Sequence, residues 1–408
     1  MSTVPSAMSR NIALMPWIRF FQNALFWQAT WFLYFQNELS AADALLLYVI
    51  YDLAVTAFEA PSGYLSDRLG RRGTLILSAI AMCLGTGLLT IGGAFWVFAM
   101  GQAFYGIGMA CVSGTDTALV FESLESEGRG DEIEAVSLRL FRFGFAALAL
   151  SSVVGGALAL LSAQLPFLAS TAAFGALTLL MLRLKEPPST QATRATMTER
   201  ARFRSLLQSL RAPLLKWLLA IGVLFYGFSH LPFVYGQPFI RATMEQAGYG
   251  GNTAPLVAGI VTAIMMILSI LVSYAAPKVR KTFGLTGALL LAMTVLVIIP
   301  AGLALSGSIL AIALLLLRKV PDSFSVAMQS AAVQPLVKNE TRATFLSLQS
   351  FLGKLLFGAS LWVASFATVE VGEMPLADIR YILSWYAEAG CLFLVMLLVT
   401  ARIPRHSD

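Results

Sequence analysis

Runs of about 20 or more mainly apolar residues follow one another along almost the whole chain, separated by short polar connectors. A helix needs about 20 such residues to cross the hydrocarbon core of a bilayer, where each backbone N–H and C=O must find its partner within the segment. Runs of this kind lie at about 12–36, 42–64, 73–93, 95–121, 133–161 and 164–184, and again at about 213–238, 253–276, 283–305, 308–332, 342–368 and 379–402. They predict an all-α integral membrane protein with twelve transmembrane helices in two six-helix halves. The charged fraction, 12%, is half the roughly 25% of an ordinary soluble domain. Mean hydropathy is +0.76. The solvent for such a chain is lipid.

Between the two sets lies "KEPPSTQATRATMTERARFRSLLQSLRAP", whose paired prolines, Ser/Thr content and scattered arginines mark a connector. The expected division is therefore 1–184, a linker at 185–212, and 213–408. The first run is too long for a signal-peptide core and no small-residue cleavage site follows it, so it reads as a retained helix. With the amino terminus inside, the inner segments collect Arg10, Arg68, Arg71, Arg72, Arg129, the linker arginines, Lys278, Arg280, Lys281, Lys338, Arg342, Arg402 and Arg405. The outer segments hold Arg241 and Arg380. This asymmetry puts both termini in the cytoplasm. The net charge of +6 sits in these connectors, a membrane-surface pattern that argues against nucleic acid as a partner. Cys83, Cys111 and Cys391 fall inside apolar runs without ligand spacing and read as small hydrophobes.

Between the second and third runs lies "GYLSDRLGRRG", Gly63 to Gly73. A basic turn accounts for its arginines but leaves the spacing of Gly63, Asp67, Gly70 and Arg71 unexplained. The stretch resembles the signature of the major facilitator superfamily, G-x-L-x-D-R-x-G-R-R, and the twelve runs with a central linker agree with that resemblance. In that family the loop latches the two halves on the cytoplasmic side. The resemblance therefore assigns Asp67, Arg68, Arg71 and Arg72 to gating, with Gly63 and Gly70 as backbone requirements. "SYAAPKVRKTFG", after the eighth run, keeps the basic residues without the acid. Two motifs of the family's proton-driven drug exporters are altered. Gln102 stands where the family has arginine, and "SSVVGG" keeps only Gly155 and Gly156 of G-P-x-x-G-G.

An ionisable group at the bilayer centre costs about 2.5–3.5 kcal/mol on insertion scales unless it meets a partner or water. Such residues are candidates for function, with purely structural pairing as the alternative. In the tenth run, Arg318, Asp322, Ser325 and Gln329 share one α-helical face, Arg318 is spaced to pair with Asp322, and Lys319 points about 100° away. Pro321 predicts a kink beside them. Comparable stripes are Ser347, Ser350 and Lys354; Asp52, Thr56 and Glu59; Gln102, Tyr105, Met109 and Asp116; Tyr226, His230 and Gln237; and Arg19, Asn23 and Phe26. By resemblance, runs one, four, seven and ten line a central aqueous path, with two, five, eight and eleven beside them.

Depth divides the candidates. Asp52, Arg318, Lys319, Asp322 and Lys354, with Gln329, Tyr226, His230 and Arg19, are expected to meet substrate. Asp116, Glu122, Arg139 and Arg142 lie toward the cytoplasmic ends and are expected to form a gating network. His230 titrates near neutrality if wet, and a plain hydrogen-bonded histidine is the competing reading. Trp27, Trp31 and Tyr34 form either an apolar wall or an interfacial belt.

No GxxxxGK[ST] loop is present to take energy from ATP, and no HExxH, GxSxG or Cys/His cluster suggests an enzyme or a cofactor. Transport then draws on a gradient, and Asp52, Glu59 and Asp116 are the buried carboxylates able to carry a proton. The cations of the second half predict an amphiphilic solute with an anionic group. The expected activity is proton-coupled export by a monomer, in the inner membrane if the source is bacterial. Uptake or facilitated passage of an organic anion or metal chelate is the alternative, followed by a non-transporting sensor.

Overall fold

The computed structural model describes residues 6–188, 210, 212–333, 336–337, 339–368 and 374–401. Among them the regular structure is helical, with no strand. The helices are α1 Ala7–Gln22, α2 Trp31–Glu38, α3 Ala41–Ile91, α4 Phe95–Val112, α5 Thr115–Ser126, α6 Ile133–Leu161 and α7 Leu165–Leu182. There follow α8 Pro213–Gln246, α9 Ala254–Ser273, α10 Ala276–Leu305, α11 Val320–Val333, α12 Asn339–Ser365 and α13 Leu376–Thr400. Ten described segments are long and apolar enough to cross a membrane. Leu84, Leu179, Ile267, Leu392 and Val399 each expose more than half their surface, as lipid-facing residues do and as a soluble protein rarely tolerates.

The segmentation departs from the sequence reading in four places. The first run is not one helix: α1 stops at Gln22, where Asn23 Nδ2 donates to the Arg19 carbonyl at 2.9 Å, and a 3-10 turn at Phe26–Ala29 precedes α2. Runs two and three are joined in α3, interrupted only at Gly70 with φ +84. The expected loop is thus a one-residue break, at a residue whose missing Cβ permits that conformation. Run four ends at Val112. Gly114, at φ +76, restarts the chain as α5, so Asp116 no longer shares a helical face with Gln102 and Tyr105. Run ten is a 3-10 helix over Ile309–Leu317, a turn at Arg318–Lys319, and then α11.

The chain divides into two compact units, one of Met1–Ala192 with Pro255–Ala263 and Glu370–Glu373, the other of Thr193–Ala254, Ile264–Val369 and Met374–Asp408. In the first, Met15 and Ile18 of α1 join Leu75, Ala79 and Met82 of α3, Tyr105 of α4, Leu119 of α5 and Phe174 of α7 in one buried core. Helices α3 and α4 approach closely because small residues face each other. A Cβ on Gly85 would lie 2.7 Å from the Gly101 carbonyl oxygen, and one on Gly108 would lie 2.9 Å from that of Ser78. With no hydrophobic force between helices in lipid, such close packing holds them together. In the second unit, Trp217 Nε1 donates to the Leu397 carbonyl at 3.1 Å, and Arg380 Nε donates to that of Ala304 at 2.7 Å. These contacts tie α8 to α13 and α13 to α10.

Candidate functional site

The loop between the two parts of α3 is built around Gly70. Its positive φ turns the backbone so that the amides of Arg71 and Arg72 both point at one carboxylate, Glu186, with N···O distances of 2.6 and 2.8 Å. A Cβ at Gly70 would sit 2.5 Å from that carboxyl. Arg71 also reaches Glu122 of α5 at 3.2 Å and the Ser66 hydroxyl at 2.7 Å, while Arg72 donates to the Leu182 carbonyl at 3.1 Å. Arg68 lies over the Tyr64 ring at 5.4 Å. At Gly63, which is helical, a Cβ would meet nothing within 4 Å, so the structure gives that glycine no backbone requirement. The Asp67 side chain lies outside the described residues.

Glu186 is the residue that sequence reasoning passed over. It stands in the tract taken as a linker, and only the neighbouring fold shows its partners. Asn11 secures the same strip, donating to the Lys185 carbonyl at 2.8 Å and accepting from the Lys185 amide at 2.9 Å. A hydrogen bond to a charged acceptor contributes about 1.5–3 kcal/mol. Glu186→Ala is therefore expected to speed hydrogen exchange at the Arg71 and Arg72 amides by at least about tenfold, with the exposed Glu125→Ala as control. Unchanged exchange at both amides would remove this clamp.

The expected network of Asp116, Glu122, Arg139 and Arg142 is not what forms. Asp116, buried in the first turn of α5, accepts Arg19 Nη2 at 2.9 Å and the Thr117 amide at 2.6 Å. Its first-turn position places a negative charge where the helix dipole favours one. Arg19, expected beside substrate, is thus the partner of an expected gating residue. Glu122 goes to Arg71, whereas Arg139 and Arg142 are exposed and Arg139 lies 5.8 Å from the Phe143 ring. Asp52 is 3% exposed, and its carbonyl accepts the Thr56 hydroxyl. Glu59 is half-buried. In the connector before α6, Arg129 hydrogen-bonds Glu132 at 2.6 Å and holds that carboxyl below its usual range. A pair so exposed contributes little.

In the second unit the charged group is compact. Lys319, expected to point away from the stripe, is bonded to Asp322 at 2.7 Å, three residues on, a spacing at which helical side chains are neighbours. Arg318, 9% exposed, lays its guanidinium 4.7 Å from the centre of the Phe233 ring. A desolvated contact of this kind contributes about 2 kcal/mol. His230 stacks on Tyr226 at 4.3 Å and lies 5.8 Å from Phe357. Its Nδ1 is 2.7 Å from the Tyr226 carbonyl, which only accepts, so Nδ1 carries the hydrogen. Gln329 Nε2 donates to the Leu218 carbonyl at 2.7 Å.

Helix α12 meets α8 where Gly353 faces Tyr226, whose Cβ would be 2.8 Å from an added methyl. Lys354 beside it is half-buried, as is Ser350, but Ser347 is exposed. The polar residue that α12 turns toward α8 is Gln349, missed in the sequence. Its amide and that of Gln329 cross Gly222, each 2.4 Å from where a Cβ would stand. Cations, one carboxylate, two amides and ring faces thus lie along α8 from Leu218 to Phe233 and along α11, a setting suited to a polar solute.

Comparison with known proteins agrees. A sequence profile of the Major Facilitator Superfamily matches residues 12–361. An uncharacterized MFS-type transporter of Methanocaldococcus jannaschii is 30% identical over 128 residues, a match that spans 30% of this chain and 30% of that relative. A mutant of the nucleoside transporter NupG superposes with a TM-score of 0.82 at 14% identity, covering 96% of this chain and 99% of that one. A D-xylose–proton symporter does so with a TM-score of 0.67 at 15% identity, over 97% and 98%. Identities this low speak for the fold alone. The profile match covers most of the sequence, and the chain is a multi-pass membrane protein belonging to the Major Facilitator Superfamily.

Proposed function

We propose that this protein is a secondary active transporter that exports a small amphiphilic organic solute bearing an anionic group, by alternating access coupled to protons. The observation that carries the anionic group is the cluster on α8 and α11, where Arg318 and Lys319 stand against one carboxylate, Asp322. Two basic groups close together at membrane depth favour an arriving anion. The faces of Tyr226, His230 and Phe357 accept the solute's apolar portion.

In this reading Asp52, Glu59 and Asp116 exchange the proton as access to water alternates. Asp116 changes its bond to Arg19, and the clamp of Gly70, Arg71 and Arg72 gates the passage. The topology is twelve spans in halves 1–184 and 213–408, joined by 185–212. The interrupted segments α1–α2 and Ile309–Val333 complete the ten. The basic connectors support termini in the cytoplasm, in the inner membrane if the source is bacterial. Proton coupling draws support from the D-xylose–proton symporter that shares the fold.

The test is flux of a panel of organic anions in proteoliposomes with and without a pH gradient. A gradient is expected to raise the initial rate several-fold. Equal rates would remove coupling, and no flux of any anion would remove the transport assignment.

A further inference from the structure

Arg139 and Arg142, expected in a gating network, join no such network, and they stand on a distinct face of the first unit. The α6 residues Arg139, Arg142, Ala146, Leu150 and Val154 are all exposed, at intervals of three or four, which puts them on one side of the helix. Away from this side α6 is closely covered: Gly155 and Gly156 press on the backbone of Phe26 and Pro255. In a membrane protein, a helix face left open and apolar through Leu150 and Val154 meets acyl chains.

Helix α1 borders the same face. Trp17, more than half exposed, meets Phe143 of α6 edge-on at 5.5 Å, and Phe20 lies 6.2 Å from Trp17. The Arg139 guanidinium lies against that same Phe143 ring. Neither Arg139 nor Arg142 has an ion pair among the described residues. Of the acids in the preceding connector, Glu132 is bonded to Arg129, and Glu127 accepts from the hydroxyls of Ser6 and Ser9. Three residues apart on a helix, the two arginines are neighbours of like charge. Along α6 the order is thus cation, ring and aliphatic side chain. Arg142 to Val154 spans about 18 Å, close to the roughly 15 Å of hydrocarbon in one leaflet. That order and that length are those of a phospholipid.

We propose that this face of α6, with Trp17 of α1 beside it, is a binding site for one phospholipid with an anionic headgroup. The phosphate diester spreads one negative charge over two oxygens, which accept from Arg139 and Arg142 in the planar geometry that arginine favours. Its charge relieves their mutual repulsion. Phe143 and Trp17 line the glycerol level, and the acyl chains run along Leu150 and Val154. A zwitterionic lipid carries its own ammonium into the field of two guanidiniums and is disfavoured. The site is independent of the cations on α8 and α11 and of the transport assignment.

The full-length protein is equilibrated in detergent micelles with equal amounts of phosphatidylglycerol and phosphatidylcholine of identical acyl chains. Lipid that stays bound is counted by native mass spectrometry. Phosphatidylglycerol is expected to be retained at least about fivefold over phosphatidylcholine. Arg139→Gln combined with Arg142→Gln is expected to bring the ratio near one, and each single change to give an intermediate value. Both side chains are exposed, so the apparent melting temperature without lipid is expected to stay near the parent's. Arg183→Gln removes an exposed cation at the end of α7 and is expected to keep the preference. Excess glycerophosphoglycerol, the headgroup without chains, is expected to leave the lipid in place. Release of the lipid by it would assign the site to a free phosphodiester and overturn the proposal. Equal retention of the two lipids by the parent overturns it, as does a preference that survives loss of both arginines or disappears in Arg183→Gln.

Discussion

Gly155→Ala is expected to lower stability by about 1–3 kcal/mol, the range for an overpacked core, seen as a clear fall in apparent melting temperature in detergent. A Cβ there would stand 1.8 Å from the Phe26 carbonyl oxygen, where ordinary contact begins at 3.4 Å. The obstacle is backbone, and it has no freedom to yield, since the amide of the same residue is bonded to Ser170. Gly175→Ala is the control. It too lies inside a helix of the first unit, but a Cβ there would meet nothing within 4 Å. It is expected to be neutral or slightly stabilising, as glycine-to-alanine changes in helices usually are. Equal behaviour of the two variants would show that α6 does not approach the break after α1 as described.

Arg318→Ala is expected to reduce flux of the anionic solute at least about tenfold, equivalent to about 1.4 kcal/mol, with folding retained. Arg318→Lys is expected to recover only part of the loss. Lysine restores the charge but not the planar group that lies over Phe233. Asp322→Asn is a further arm, since it releases Lys319 from its bond and so strengthens the positive field on an anion. Full activity of Arg318→Ala with its thermal stability intact would remove Arg318 from the solute's path.

The family was legible in Gly63–Gly73, where one position, Gly70, answers a local backbone demand. Gly70 needs a positive φ, and the two arginines after it carry the amides that this conformation presents. Partners distant in the chain were not legible. Nothing in the spacing of Arg19 and Asp116, or of Arg71 and Glu186, announces that the fold will join them. Run ten failed for another reason. "ILAIALLLL" is apolar at every position, so it has no period from which to tell a 3.6-residue winding from a 3.0-residue one. The α-helical winding expected along it up to Arg318 therefore does not form. Gln349 escaped notice because an amide in an apolar run looks tolerable until its surroundings are known.

The 3-10 winding of Ile309–Leu317 has a mechanical corollary. Nine residues wound at about 2.0 Å each cover about 18 Å, against about 13.5 Å in an α-helix. The two forms also differ by about 20° per residue, or about half a revolution over nine. Rewinding this segment alone as an α-helix would draw Arg318 and Lys319 some 4.5 Å along the axis, by the same estimate, and swing them to the opposite side. In the apolar stretch ahead of these cations, depth and direction are thus tied together by the winding.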